Sequence, residues 1–245
     1  MKKIAIFNRK GGVGKTVCAA SLGAILSHAG KKVLLVDLDS QANLTHSFLR
    51  EEPEEDVSQI FDTGRLPVTQ ISLFLSIVPA SIQLAATDYQ IAGREDRYEI
   101  LPRALAKVDE EYDLAIMDLA PSMNHICIGA VAACDYLLAP ILPDVDSLQG
   151  LRMVEDVCRI AGKEGGIDGI FFSIFNRRRD LDRYVEEVLR REYGEVVYRT
   201  TIRQSNKLRE CRSKRKDIET YAPSCAGAKD YRQLADEILQ RIINE

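Results

Sequence analysis

"NRKGGVGKTV", residues Asn8 to Val17, follows directly on the apolar run Ile4-Ala5-Ile6-Phe7. An apolar strand, a glycine-rich turn and the start of a helix are together the setting of a phosphate-binding loop. Glycines at 11, 12 and 14 permit backbone conformations that a Cβ would hinder. Successive N–H groups from Gly11 to Thr16 can therefore point at phosphate oxygens, at the positive end of a helix expected to begin at Lys15. In the pattern G-x-x-x-x-G-K-[ST], Lys15 is the residue that reaches the β- and γ-phosphates and Thr16 supplies a hydroxyl to Mg²⁺. One position departs. The pattern asks for glycine five residues before Gly14, where this chain has Arg9, and a second lysine, Lys10, follows it. The alternative is a glycine-rich turn that binds nothing, and the GKT tripeptide in this setting speaks against it.

The 245 residues, 46% hydrophobic and 29% charged, have ordinary globular composition and suffice for one large α/β domain over residues 1–245. The longest apolar runs, such as 137–142, are too short to span a bilayer. The N-terminus enters a strand at once, so no signal peptide is expected, and a loop starting at residue 8 leaves no room for an N-terminal helix-turn-helix. Six cysteines without a CxxC pair predict reduced, mostly buried thiols in a cytoplasmic protein. The net charge of −4 is unevenly divided: residues 1–150 carry −7 and residues 151–245 carry +3. That argues against a general polyanion binder but leaves room for a local basic face.

Runs rich in Ile, Val and Leu predict strands at 3–8, 33–37, 73–78, 114–118, 136–141, 169–175 and 196–198. Amphipathic stretches predict helices at 15–29, 81–91, 97–108, 124–133, 147–161, 181–192 and 228–243. Near-continuous apolar strands alternating with helices imply a doubly wound α/β fold, a mostly parallel sheet with helices on both faces. The acidic run Glu51–Asp56 reads as a solvated loop.

Two carboxylate stations support nucleotide chemistry. "VLLVDLDSQANLT" ends a strand with Asp37 and Asp39, and "YDLAIMDLAPS" ends another with Asp118, the expected Walker B carboxylate. Strand ends at that edge of an open α/β sheet are where ligands sit.

With "LLAPILPDVDSLQGL" and "YAPSCAGAKDYRQLADEIL", these motifs make the whole chain resemble the ParA/Soj branch of the deviant-Walker-A (ParA/MinD) P-loop ATPases. The resemblance implies ATP and Mg²⁺ as cofactors and a weak intrinsic ATPase. The nucleotide site would comprise Lys10, Gly11, Gly12, Val13, Gly14, Lys15, Thr16 and Val17, with Asn176 of "SIFNRRRD" at the adenine and residues 202–206 on its other side. Lys10 would be the signature lysine that crosses a face-to-face dimer to the partner's phosphates. There it would neutralise charge developing in the transition state, as an arginine finger does in trans. Lys10, Lys15 and Asp39 would be the catalytic residues, Asp39 orienting the attacking water. The metal would be held by Thr16, with Asp37 and Asp118 acting through water. Two departures stand out: Ala120 where the family commonly has proline, and Met123-Asn124-His125 after it. They bear on switch II and hydrolysis rate. His125 is expected to be a solvent-facing residue at a helix start.

Residues 199–216, "RTTIRQSNKLRECRSKRK", hold eight Lys/Arg and one acid, Glu210. A solvated surface run is one reading. The other is a patch of Arg203, Lys207, Arg209, Arg212, Lys214, Arg215 and Lys216 that holds the backbone of nonspecific double-stranded DNA. No aromatic interrupts the run, so base stacking is not suggested. The family resemblance further implies an ATP-dependent homodimer, association with the nucleoid when ATP-bound, and a ParB-like activator on the cargo. The runner-up is a MinD-like ATPase positioning a protein or membrane cargo, but the tail "ADEILQRIINE" has one arginine against three acids and would be repelled by anionic lipid. A non-hydrolysing, nucleotide-locked scaffold is the remaining alternative. A reductase holding an iron–sulfur cluster would need cysteines just beyond Asp118. Cys127 and Cys134 instead have the spacing of core thiols.

Overall fold

Three hexapeptides, Val33–Leu38, Leu114–Leu119 and Tyr136–Ile141, are buried at every residue. Strands without polar alternation need cover on both faces, which is the condition for a parallel sheet. The computed structural model, which describes residues 1–243, meets it. The strands are β1 Lys2–Ile6, β2 Val33–Leu38, β3 Thr69–Ser72, β4 Leu75–Val78, β5 Leu114–Leu119, β6 Tyr136–Ile141 and β7 Gly169–Phe172. They form one seven-stranded sheet in the order β3-β4-β2-β5-β1-β6-β7. All pairs are parallel except the β3–β4 edge pair.

Helices α1 Lys15–His28, α9 Asn206–Ser213, α10 Ile218–Tyr221 and α11 Ala226–Ile243 pack on one face, over Ile4, Ile6, Leu35, Ile116 and Leu138. Helices α3 Ser58–Thr63, α4 Gln83–Ile91, α5 Ile100–Ala106, α6 His125–Ala133, α7 Ser147–Ala161 and α8 Asp180–Tyr193 cover the other, over Ala5, Phe7, Leu34, Val36 and Met117. Successive residues of β1 enter opposite cores, as the two-residue period of a strand requires. A short α2, Thr45–Phe48, follows the loop after β2.

Several expectations are corrected. Residues 73–78 are not one strand: Leu73 and Phe74 turn between β3 and β4, so an antiparallel strand closes that edge. Residues 196–198 do not form a strand either. After a 3-10 turn at Gly194–Val196 the chain makes a single bridge, Val197 to Ile170. The Glu237 carboxylate then accepts the Arg199 and Thr200 N–H groups at 2.8 and 3.0 Å, satisfying amides that a strand would have used. β7 stops at Phe172 rather than at residue 175 because Ile174 takes a left-handed φ of 57°. The short helices α2, α3, α9 and α10 have no counterpart in the sequence expectation. Four cysteines are buried, two are half-buried, and all six are free thiols. No described helix is long and apolar enough to cross a membrane. Glu245, one of the three tail acids, lies outside the described residues.

Candidate functional site

The loop between β1 and α1 is anchored from its first residue. Asn8 is buried; its side-chain NH₂ donates to the Pro140 carbonyl at 2.9 Å and its Oδ1 accepts the Lys10 N–H at 2.9 Å. Gly12 and Gly14 have φ of 76° and 89°, which side-chain-bearing residues rarely adopt. The first helical bond runs from Cys18 N–H to the Gly14 carbonyl at 2.9 Å. The N–H groups of Lys15, Thr16 and Val17 precede it, and no side chain caps them. These are the unsatisfied donors of a helix N-terminus, suited to an anion. The Val13 carbonyl is held by Ser173 Oγ at 2.7 Å, and the same hydroxyl reaches the Ile141 carbonyl at 3.1 Å, tying the loop to the ends of β6 and β7.

Lys15 is buried under this loop, with Nζ donating to the Asn8 and Lys10 carbonyls at 2.9 and 3.2 Å. Burial lowers its pKa against the opposing pull of Asp118 and Asp39. The ammonium is thus within electrostatic reach of both carboxylates.

Those carboxylates come from adjacent strands. β2 and β5 pair in a register that sets Asp37 beside Asp118. Asp37 Oδ2 accepts both the N–H and the hydroxyl of Thr45 at 2.8 Å, and Oδ1 accepts the Asp39 N–H at 3.2 Å. Burial pushes its carboxyl up to about 6 although these bonds favour the ion. Asp118 is more exposed to that penalty: both of its oxygens are buried without a hydrogen-bond partner. Burial and the charge of Asp37 raise its pKa well above the carboxylate range. The Thr16 hydroxyl and the Lys15 ammonium pull the other way, but the Thr16 contact falls short of hydrogen-bond geometry. Asp39 lies just past β2, its Oδ1 accepting the Gln41 N–H at 3.0 Å.

An unpartnered buried carboxylate beside a second one and a hydroxyl suits a hard divalent cation that takes oxygen ligands. No group of three or more His, Cys, Asp or Glu among the described residues is arranged to hold a metal by itself. Mg²⁺ does not need one, since it usually keeps waters and binds through one or two carboxylates and phosphate oxygens.

Lys10 points away from this centre, to Asp144 of its own chain, with Nζ to Oδ2 at 2.5 Å. Arg9 leaves the loop on its exposed side, toward the thioethers of Met123 and Met153. Ala120 directly follows β5, and its carbonyl accepts the Cys127 thiol at 3.5 Å. Asn124 is the N-cap of α6, accepting the Cys127 N–H at 2.9 Å. His125 is not solvent-facing: it is half-buried, with Nδ1 3.2 Å from the Tyr98 hydroxyl. Cys127 and Cys134 are buried, and burial raises both thiols to about 12, as inert core thiols require.

Asn176 lies beyond β7, directly after Phe175, whose backbone meets Ile202 and Arg203. Phe175 bridges Arg203, with Phe175 N–H donating to the Ile202 carbonyl at 2.9 Å. A cleft of about 710 Å³ opens there, and Asn176, Arg203 and Gln204 line it. Ser173, whose hydroxyl holds the Val13 carbonyl of the loop at 2.7 Å, lies only three residues before Asn176. Ile202, by contrast, is buried, and Ser205 and Asn206 do not line the cleft.

The seven-residue basic patch does not form one open face. Arg203 is spent on Asp230, with Nε and Nη2 at 2.9 and 2.6 Å from its carboxylate oxygens. Lys207 pairs with Glu210 at 2.7 Å and lies over the Tyr221 ring. Arg212 bonds the Asn43 side chain, and Arg215 donates to the Arg50 carbonyl at 3.2 Å. Arg209, Lys214 and Lys216 are exposed and carry no ion pair among the described residues. Glu210 inside the run, with Asp230, Asn43 and the Arg50 carbonyl from distant segments, divides the patch. Residues missed in the sequence are the supports: Asn8, Thr45, Asp144, Ser173 and Asp230. All five lie within the motifs quoted from the sequence, but nothing in their spacing marks them as supports.

A family model described as an AAA domain matches residues 1–164. The sporulation initiation inhibitor protein Soj of Bacillus subtilis is 34% identical over 249 residues, covering 97% of this chain and 98% of its own. The chromosome-partitioning ATPase Soj of Thermus thermophilus is also 34% identical, over 99% of this chain and 97% of its own. Among solved structures, the chain is similar to one described as cobyrinic acid a,c-diamide synthase of Mycobacterium smegmatis with bound ATP analogue and magnesium. That similarity has a TM-score of 0.81 at 28% identity and covers 98% of this chain and 95% of that one.

Proposed function

The chain belongs to the AAA-domain family and, within it, to the Soj/ParA partition ATPases, and from that premise we propose that it segregates or positions a DNA cargo as an ATP-switched dimer. It is an ATPase that uses ATP and Mg²⁺. The observation that carries the site reading is the buried Asp118, whose two oxygens have no partner, within electrostatic reach of the buried Lys15. A buried cation and an orphaned carboxylate at a strand end are an incomplete set, which a magnesium-bound triphosphate would complete.

The backbone of residues 10–17 would cradle the phosphates, and Lys15 would exchange its carbonyl contacts for the β- and γ-phosphates. Thr16 and, through water, Asp37 and Asp118 would hold Mg²⁺, which neutralises charge on the phosphoryl group when bound. Thr45, by fixing Asp37, couples the segment after β2 to that shell. Asp39 would align the attacking water. Asn176 and the Arg203–Gln204 backbone would flank the base. Lys10 would leave Asp144 and reach the phosphates of a second ATP-loaded copy, so the pair forms only when both are charged. Hydrolysis would then remove the group that joins them, and the dimer becomes a timed state. In that state the protein would hold nonspecific duplex DNA, and a ParB-like activator on the cargo would release it.

The test is Lys10→Ala. Sedimentation with a non-hydrolysable ATP analogue and Mg²⁺ should show parent dimers and variant monomers, and activator-stimulated turnover should fall about 10³-fold or more, the scale of a missing arginine finger. A variant that dimerises and turns over like the parent refutes the scheme.

A further inference from the structure

Lys10, the lysine that would cross to a second copy, is held at three atoms within its own chain. Its N–H donates to Asn8 Oδ1 at 2.9 Å, and its carbonyl accepts Lys15 Nζ at 3.2 Å. Its own Nζ lies 2.5 Å from Asp144 Oδ2. Two of these holds would be surrendered in the dimer, where Lys15 turns from carbonyls to phosphates and the Lys10 ammonium leaves Asp144. Of the three, only the bond to Asn8 can persist throughout.

The chain on the far side of Lys10 offers no substitute. Gly11 and Gly12 follow, and a Cβ built on either would meet no atom within 4 Å. Two adjacent glycines in open space leave the main chain its widest freedom. Arg9, on the near side, is exposed. Asn8 is the contrast, being only 2% exposed. Its bond to the Lys10 N–H closes an Asx turn, in which a side chain fixes the backbone two residues on. The other end of the amide donates to the Pro140 carbonyl at 2.9 Å, and α7 approaches at Gly150, where a Cβ would stand 3.7 Å from Asn8 Oδ1. Burying an amide costs free energy unless it is hydrogen-bonded, and here both ends are bonded, each to main chain. A side chain kept only to fill that space would be apolar. Turning the amide over would set its NH₂ against an N–H and its oxygen against a carbonyl, so its orientation is fixed.

We propose that Asn8 is the positioning residue for Lys10. It pins the Lys10 main chain to β6, so that the passage from Asp144 to the partner's phosphates is a rotation of one side chain about a fixed base and not a movement of the loop. Pro140 and Asp144 lie four residues apart, so one short segment anchors the pivot and also supplies the resting place of the ammonium. This inference rests on the trans-acting lysine of the dimer proposed above.

The experiment is a double-mutant cycle on ATP turnover in Mg²⁺, combining Asn8→Ala with Lys10→Ala. In the parent background Asn8→Ala should lower kcat about 10–100-fold, the scale of a displaced catalytic group. KM for ATP should change by less than about tenfold, the worth of one hydrogen bond. In the Lys10→Ala background there is no ammonium left to place, and adding Asn8→Ala should lower kcat by less than about twofold. Asn8→Ser should recover part of the kcat that Asn8→Ala loses, because its hydroxyl can still accept the Lys10 N–H while filling little more space than alanine. It also carries the same cycle if the alanine variant does not fold. Equal losses from Asn8→Ala in both backgrounds overturn the inference and make Asn8 a general support of the loop. A kcat like the parent's in Asn8→Ala, beside a defective Lys10→Ala, overturns it too and leaves the dimer reading standing. A Lys10→Ala protein that turns over like the parent defeats the dimer reading itself, and the positioning role with it.

Discussion

Replacing Asp118 with asparagine should make the nucleotide-free protein more stable while disabling it. Asp118 and Asp37 stand in register on neighbouring strands, and both of Asp118's oxygens are buried without a partner. Strand spacing of about 4.8 Å and an effective dielectric near 20 put the repulsion of two such charges at roughly 3 kcal/mol. An unsatisfied buried acceptor adds about 1–3 kcal/mol. Lys15 and the protonation favoured by the raised pKa offset part of this, leaving a net gain of about 1–3 kcal/mol for the neutral, isosteric amide. For a chain of this size each kcal/mol moves Tm by about 2–4 °C, so Tm should rise by roughly 2–12 °C in chelator at neutral pH. Adding Mg²⁺ and a non-hydrolysable ATP analogue should reverse the order, because ligand binding stabilises the parent by mass action and the variant less. ATP turnover should drop about 10–100-fold, as for other lost metal-shell carboxylates. The decisive measurement is the chelator melt. An Asp118→Asn protein that unfolds at or below the parent temperature there would show that the orphaned carboxylate is not a stored cost, and the argument for a cation-completed site would fail.

Other consequences can be tested in parallel. Asp144→Asn removes the partner that holds Lys10 in its own subunit, a half-exposed ion pair of up to about 1 kcal/mol in each protomer and so up to about 2 kcal/mol per dimer, and analogue-dependent dimerisation should tighten by up to about thirtyfold; weaker dimerisation in sedimentation would contradict that role. Thr45→Val removes a donor to Asp37 and the acceptor of the Ala80 N–H at 2.8 Å, and should cost about 1–3 kcal/mol by denaturant titration while lowering Mg²⁺-dependent nucleotide affinity. Asp37 is held above its unfolded value of 3.8, at about 6, so the folded state binds the proton more tightly. Its contribution to stability is therefore present below the unfolded value and is lost as pH rises through the folded one. Chelated protein should lose stability across that interval, and the Mg²⁺–nucleotide complex should not; equal pH profiles in the two states would count against the assignment.

The sheet and the strand-end carboxylates were legible because each leaves a local mark. All-apolar hexapeptides specify buried parallel strands, and glycines before GKT specify the turn. Residues 73–78 and 196–198 were misread because their fate is decided elsewhere. Leu73 and Phe74 look like strand but turn in the open, and the amides after Tyr198 are claimed by Glu237 from α11. The basic run was visible as composition, yet its division depends on Asp230, Asn43 and the Arg50 carbonyl, which no spacing reveals. His125 was misjudged for a similar reason, since Tyr98 reaches it from a different segment.

Pro140 sits within β6, where a missing N–H would ordinarily weaken a central strand. Its carbonyl faces β1's side and is taken by the Asn8 side chain, while the last bond that β1's chain makes to β6 is from Phe7 to Leu138. Beyond that point β6 has no amide to offer on this flank, so the two chains cannot zip together any further. The missing hydrogen thus works as a doorstop that keeps the sheet parted at its ligand-bearing edge. Restoring an amide there, as in Pro140→Ala, would invite the gap to close over the loop before any triphosphate arrived.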